Sequence, residues 1–188
     1  MVKLWFTSDT HWSHRNIIKY SNRPFDSVEQ MDQALIDNWN SVVAPNDIVW
    51  HLGDFAFCRY EGIKEILPLL NGHKNLVLGN HDKEIVNNTP ELLRLGLFKS
   101  IQHYKMLRID DQKVVLCHYG FRTWDSAHHG AIMLYGHSHG SLPPFGRSVD
   151  VGVDCKEITP EYRPIEYDEI LAFMSNRKAE VVDHHGAD

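Results

Sequence analysis

Apolar residues along this chain fall first into short runs separated by segments of helical spacing. Val2 to Phe6 reads as a buried strand that ends in Ser8-Asp9-Thr10-His11. Ser27 with Gln30 resembles a capping box, and Met31, Leu35, Trp39 and Val42 then recur at helical spacing. The pattern predicts a helix from Ser27 to Ala44 that Pro45-Asn46 ends. Asp47 to Leu52 is a second strand, stopped by Gly53-Asp54, and Gly62 to Leu70 a second helix, kinked or shortened at Pro68. Asn75 to Leu78 is a third strand, stopped by Gly79-Asn80-His81-Asp82. Such alternation implies a parallel sheet covered by helices.

The second half changes character. Phe98 to Ile109 and Lys113 to Cys117 flank Asp110-Asp111, a hairpin turn by composition. Ile132 to Tyr135 and Ser148 to Val153 read as further strands, and Ile165 to Asn176 as a final helix. No repeat, low-complexity segment or Gly/Ser/Pro-rich linker interrupts the pattern. The reading is one α/β domain over residues 1–180 with partly antiparallel later strands, and a polar tail at 181–188 expected to fray.

Composition narrows the picture. A length of 188 residues suits one domain with a sizeable core, and 43% hydrophobic with 23% charged residues is ordinary for a globular protein. No run of about 18 apolar residues occurs, so no membrane span is expected. Cys58, Cys117 and Cys155 show no CxxC spacing, which fits a reduced cytoplasm and argues against a disulfide framework or a thiolate zinc site. The formal charge of −6 argues against binding long nucleic acids, but bound dications would still admit a small anionic substrate. The unusual number is 13 histidines, because imidazole is both a common metal ligand and a good general acid.

Their positions carry the chemistry. Strands repeatedly end in a Gly or a polar residue followed by metal-capable side chains: Asp9-Thr10-His11, Gly53-Asp54, Gly79-Asn80-His81-Asp82, His118-Tyr119-Gly120 and Gly136-His137-Ser138-His139. In open α/β sheets ligands collect beyond the carboxyl ends of the strands, so these donors should converge. Asp-x-His and His-x-His spacing on an extended chain would point both side chains to one face. Taken singly, each motif is ordinary turn or loop chemistry; in this order the bland reading fails.

The ordered set resembles the calcineurin-like metallophosphoesterase superfamily, whose pattern is Asp-x-His, Gly-Asp, Gly-Asn-His-Asp/Glu, a lone His and Gly-His-x-His. The segment Ser8 to Ile17 and the later Val151-Gly152-Val153-Asp154 resemble a small bacterial and phage branch of predicted phosphoesterases. The resemblance implies an α/β single-domain β-sandwich of mixed sheets flanked by helices. It implies that Asp9, His11, Asp54 and His139 bind one metal ion and that Asp54, Asn80, His118 and His137 bind a second, with Asp54 shared. It places His81 near the leaving group as general acid, oriented by Asp82. Two dications about 3.5–4 Å apart can share a hydroxide and clamp phosphate oxygens. An N/O ligand set without thiolate permits Mn²⁺, Fe²⁺, Zn²⁺ or Co²⁺, with Mn²⁺ favoured by the resemblance.

Other candidates follow by position. Arg15 is a candidate phosphate contact, weighed evenly against a surface role. Arg122 and Trp124 are candidates for gripping or stacking on substrate, against a core-lid role for Trp124. His51 reads as a packed or supporting residue, His73, His103, His128 and His129 as surface or loop residues, and His184 and His185 as tail. Gly53 to Arg59 lacks the Gly-Asp-x-x-Asp-Arg stretch of the superfamily's protein phosphatases, and the short stretch between Asp82 and His118 leaves no room for a large cap. These features favour an open site for a small phosphodiester, of cyclic-nucleotide or nucleic-acid-end type. A phosphomonoesterase acting on nucleotides or small phosphorylated metabolites is the alternative. A catalytically idle interaction scaffold ranks lower, since His81 and the whole ligand set are retained.

Overall fold

The computed structural model describes residues 1–159, 161–180 and 182. Its first half runs β1 (Leu4–Thr7), α1 (Ile17–Tyr20), α2 (Val28–Val42), β2 (Ile48–His51), α3 (Tyr60–Ile66), β3 (His73–Val77), α4 (Lys83–Asn87) and α5 (Thr89–Arg94). The second half runs β4 (Ser100–Gln102), β5 (Tyr104–Ile109), β6 (Gln112–Cys117), β7 (Ile132–Tyr135), β8 (Ser148–Asp150), β9 (Ile165–Glu166) and α6 (Tyr167–Met174). One sheet has the order β4-β3-β2-β1-β9 and the other β5-β6-β7-β8. Strands β1 to β4 are mutually parallel and β9 is antiparallel to β1. In the second sheet only the β5–β6 pair is antiparallel. This is the expected mixed α/β sandwich.

Strand parity builds the layers. Phe6, Trp50, Leu52 and Val77 of the first sheet face Val114, Leu116, Ile132, Leu134 and Val149 of the second, forming the core between the sheets. The alternate residues Trp5, Val49 and Leu76 face outward, under Met31, Leu35 and Trp39 of α2 and Ile63 of α3. Helix α2 begins where expected: Ser27 Oγ accepts from Gln30 N at 3.1 Å, and Gln30 Oε1 reaches back to Asp26 N at 2.7 Å. On the far face of the second sheet, Val115, Cys117, Met133 and Tyr135 pack under Trp124 and Ala127.

Several boundaries depart from the sequence pattern. The apparent strand Phe98 to Ile109 breaks at His103: β4 pairs with β3 in one sheet and β5 with β6 in the other. A crossing between sheets leaves strand propensity continuous, so the pattern could not show it. The expected final helix surrenders Ile165 and Glu166 to β9, and α6 begins behind a capping box made by Glu166 and Glu169. Helix α3 stops at Ile66 and a 3-10 turn carries Pro68, which has no N–H to continue the helix. Strand β8 ends at Asp150, but the chain beyond it crosses over to bridge Gly152 with Ser8 and close the sandwich. The short helices α1, α4 and α5 were not expected. Most of the 181–188 tail, with His184 and His185, lies outside the described residues.

Leu116 is fully buried between the sheets, whereas Leu93 is 39% exposed. Leu116→Ala should therefore cost roughly 2–5 kcal/mol in denaturant unfolding. Leu93→Ala should stay within about 0.5 kcal/mol. Equal costs would contradict the assignment of the core.

Candidate metal centre

The metal-capable residues lie at the carboxyl ends of β1, β2, β3, β6 and β7, where the chain turns sharply. Asp9, His11, Asp54, His137 and His139 all have positive φ, between 47° and 67°. Non-glycine residues in this region are strained, at about 1–3 kcal/mol each, and cluster where function over-determines the backbone. The Asp-x-His and His-x-His segments are therefore not extended, contrary to the alternation argument; tight left-handed turns aim their side chains. Glycines make the approach possible. A Cβ at Gly79 would collide with Asp54 Oδ1, and one at Gly136 would collide with Ser8 Oγ and Asp9 Oδ2.

Two donor groups result: Asp9, His11 and His139 in one, Asp54, His118 and His137 in the other, each with ligand atoms mutually within 4.8 Å. Asp54 Oδ2 stands between them, 3.5 Å from His118 Nε2 and 3.7 Å from His11 Nε2. Asn80 Oδ1 lies 3.1 Å from His118 Nε2, on the side of the second group. Every ligand expected from sequence is thus brought to one place. Asp9 Oδ1 and His11 Nε2 are buried, have no hydrogen-bond partner, and lie 3.9 Å apart. Orphaned buried polar atoms cost about 1–3 kcal/mol each. This spacing suits two ligands about 2 Å from a common cation, so the residues fit a bound metal.

Residues 2–144 match the calcineurin-like phosphoesterase superfamily domain. The chain belongs to that superfamily. It is 33% identical over 187 residues to an uncharacterized protein of Methanocaldococcus jannaschii, covering 95% of this chain and 94% of that one. It is 29% identical to the gene 66 protein of Mycobacterium phage L5, over 82% of this chain and 88% of the phage protein. The fold is similar to the crystal structure of a protein of unknown function from Aquifex aeolicus, with a TM-score of 0.69 and 25% identity over 92% of this chain and all (100%) of that one.

A supporting layer orients the superfamily's donors here. His118 Nδ1 donates to Leu52 O at 2.8 Å, turning Nε2 inward. His139 Nδ1 lies 2.6 Å from Asp154 Oδ2, and Asp154 is held by both Nε and Nη2 of Arg23 at 2.8 Å. Arg23 also donates to the carbonyls of Asp9 and Thr10 at 2.7 and 2.9 Å. Sequence reasoning missed Arg23, since an arginine in a loop reads as exposed and its partner is 131 residues away. Asp154 was legible only as part of a resembling segment. His51 is fully buried; its Nδ1 accepts from Gly53 N at 3.2 Å and its Nε2 meets Thr10 Oγ1 at 2.9 Å.

Other expectations need correction. Asp82 makes its bonds to Gly79 N, Asp54 N and Phe55 N at 2.7, 3.0 and 2.9 Å, tying two strand-end loops together. Its carboxylate is spent on backbone amides, so it orients the loops and not the His81 imidazole. Trp124 is only 9% exposed and donates to Ala131 O at 2.9 Å, a lid on the outer face of the second sheet and not a substrate platform. Arg122 lies over the Phe145 ring at 4.1 Å and lines a separate cavity beside Leu142 and Pro143. Arg15 is exposed and stays outside the cleft that its neighbours His14 and Asn16 line.

Burial dominates the electrostatics of the metal-free chain. It raises the Asp9 carboxyl to about 7 and lowers the His11 imidazole to about 3. Burial also opposes charge on Asp54 and His118, but their mutual hydrogen bond and attraction win. Asp54 falls to about 2 and His118 rises to about 9.

Metal ligands must shed these protons, so cation uptake competes with them. Apparent affinity should climb with pH from below about 7, where Asp9 is protonated, to about 9, where His118 loses its proton. Calorimetry in buffers of different ionisation enthalpy should register proton release. An affinity flat across that range would contradict the ligand assignment. Asp154→Asn should weaken one of the two ions by about 10–100-fold while sparing the other. A metal titration in which both affinities stay unchanged would remove Asp154 from its supporting role.

Proposed function

We propose that this chain is a dinuclear metal-dependent hydrolase of phosphate esters, with phosphodiesters of cyclic-nucleotide or nucleic-acid-end type as its preferred substrates. The observation that carries the reading is the place of Asp54 Oδ2 between two donor groups, 4.0 Å from His81 Nε2. Asp9, His11, Asp54 and His139 would hold one ion and Asp54, Asn80, His118 and His137 the other. When bound, the dications supply positive charge to the phosphate oxygens and lower the pKa of water. Mn²⁺ is the favoured metal; Fe²⁺, Zn²⁺ and Co²⁺ suit the same donors.

His81 is the general acid. Its side chain is 44% exposed and lines a cleft of about 770 Å³ together with His11 and His139, so a bound ester can reach it. Its role is to hand a proton to the leaving oxygen, and it stays outside the ligand set. Preference for a diester follows from charge. Among the described residues lining this cleft there is no Lys or Arg. Arg23 is committed to Asp154, and Arg59 is exposed at the start of α3. A monoanionic diester needs less added positive charge than a dianionic monoester. A small nucleotide or phosphate ester is thus the partner, with no membrane and no long nucleic acid. No helix among the described residues is long and apolar enough to cross a membrane. The cytoplasmic setting rests on the free Cys58, Cys117 and Cys155.

Chelation should abolish hydrolysis of bis(p-nitrophenyl) phosphate and Mn²⁺ should restore it, with the diester turned over faster than p-nitrophenyl phosphate. Full activity in a metal-free preparation would sink the assignment; a faster monoester would shift it to a phosphomonoesterase. His81→Gln should keep both metals yet slow a nucleoside-leaving diester by roughly 10²–10⁴ fold. The same variant should lose far less on the nitrophenyl diester, whose leaving group departs unprotonated. An equal loss on both substrates would remove His81 from proton transfer.

A further inference from the structure

The cleft has a wall that the metal groups and His81 do not use. Next to His11 lies the His14 ring, with centroids 5.5 Å apart, and flanking His14 are Phe57, 50% exposed, and Tyr20, 75% exposed. The Phe57 ring lies on His14, with centroids 4.1 Å apart and an interplanar angle of 28°. Tyr20 meets His14 edge-on at 6.3 Å. Phe57 also meets the His81 ring edge-on at 5.6 Å, so the aromatic surface begins beside the proposed proton donor.

This surface is held rather than hung. Ser13 N donates to both oxygens of Asp32 at 3.0 Å, anchoring the start of the segment that carries His14 and Tyr20. Its far end is Arg23, locked on Asp154, which also holds His139. Ile17 is buried beneath it. One buried ion pair therefore bears on both a metal-site imidazole and the segment that carries His14 and Tyr20, while Phe57 is placed by its own N, which donates to Trp12 O at 2.8 Å.

We propose that Tyr20, His14 and Phe57 form a stacking shelf for a nucleobase, so that the group esterified to the phosphate is a nucleoside. The proposal rests on the phosphoesterase reading only for where the phosphate sits. The wall is aromatic and, among the described residues that line it, carries no Lys or Arg, so it does not suit a second phosphate or a carboxylate. The side chains of Asn16, Asn22 and Ser141 line the same cleft and offer both donors and acceptors to the edges of a base. The cleft volume of about 770 Å³ lies in the range of small-molecule sites. A base stacked on an aromatic side chain gains roughly 5- to 150-fold in affinity.

The test is calorimetric titration of the Mn²⁺-loaded protein with adenosine 5′-monophosphate and with ribose 5-phosphate, which carries a hydroxyl at C1 in place of the base. The nucleotide should bind at least about tenfold tighter. Tyr20→Ala and Phe57→Leu should each cut that ratio several-fold; Tyr20 is exposed enough for its variant to fold normally, and a thermal melt checks both. Equal affinity for the two ligands in the parent protein would overturn the shelf, as would a preference that survives both substitutions. Hydrolysis of bis(p-nitrophenyl) phosphate, measured on the same preparation, keeps the two readings apart. Turnover without base preference defeats the shelf alone, and base preference without turnover defeats the phosphoesterase reading alone.

Discussion

Negative charge buried at one end of the sandwich is the constraint on which the rest of the structure depends. Asp9, Asp54, Asp82, Asp150 and Asp154 are all buried there. Taking a carboxylate out of water costs several kcal/mol unless it is paired and hydrogen-bonded. Four of the five meet that demand within the chain, and Asp9 does so with Oδ2 only, which accepts from His137 N at 2.9 Å. Asp82 is satisfied by backbone amides, Asp150 by Gly152 N, Gly140 N and Ser138 Oγ, and Asp154 by Arg23 and His139. Asp54 leans on His118 and the amide of His81. Asp9 Oδ1 alone has no partner, and it faces His11 and His139.

That ordering separates scaffold from site. The carboxylates satisfied by the chain are structural: they tie the strand-end loops to one another across the gap between the sheets. The carboxylates left short are those whose neighbours are inward-facing imidazoles. A cation is the economical completion of that arrangement, since it would satisfy Asp9, Asp54 and the unpartnered His11 nitrogen together. The strain of five left-handed residues is tolerable for the same reason, because strand pairing, glycine contacts and Arg23 hold the turns from behind.

Arg23 has a wider reach than its loop position suggests. It binds the carbonyls of Asp9 and Thr10, neutralises Asp154, and terminates the segment bearing Tyr20 and His14. One guanidinium consequently bears on the His139 donor, on the Asp9 turn and on the segment that carries His14 and Tyr20.

Much of this was legible from local pattern. Helix α2 follows from its cap, its apolar spacing and Pro45, because those signals act within a few residues. The donor set was legible because its motifs sit at strand ends, and parallel strands deliver their carboxyl ends to one side whatever the details of packing. Single residues could not show the break at His103 or the brief strand β9, since both depend on which sheet offers a free edge. Nor could they assign Asp82, Arg122 and Trp124, whose types fit catalysis and scaffolding equally well. Their roles turn on partners distant in sequence, or on which face of a sheet they cover. Sequence alone determined which atoms could bind metal. Tertiary structure decided which buried charges were left for a metal to satisfy, because satisfaction of a charge is a property of everything packed around it.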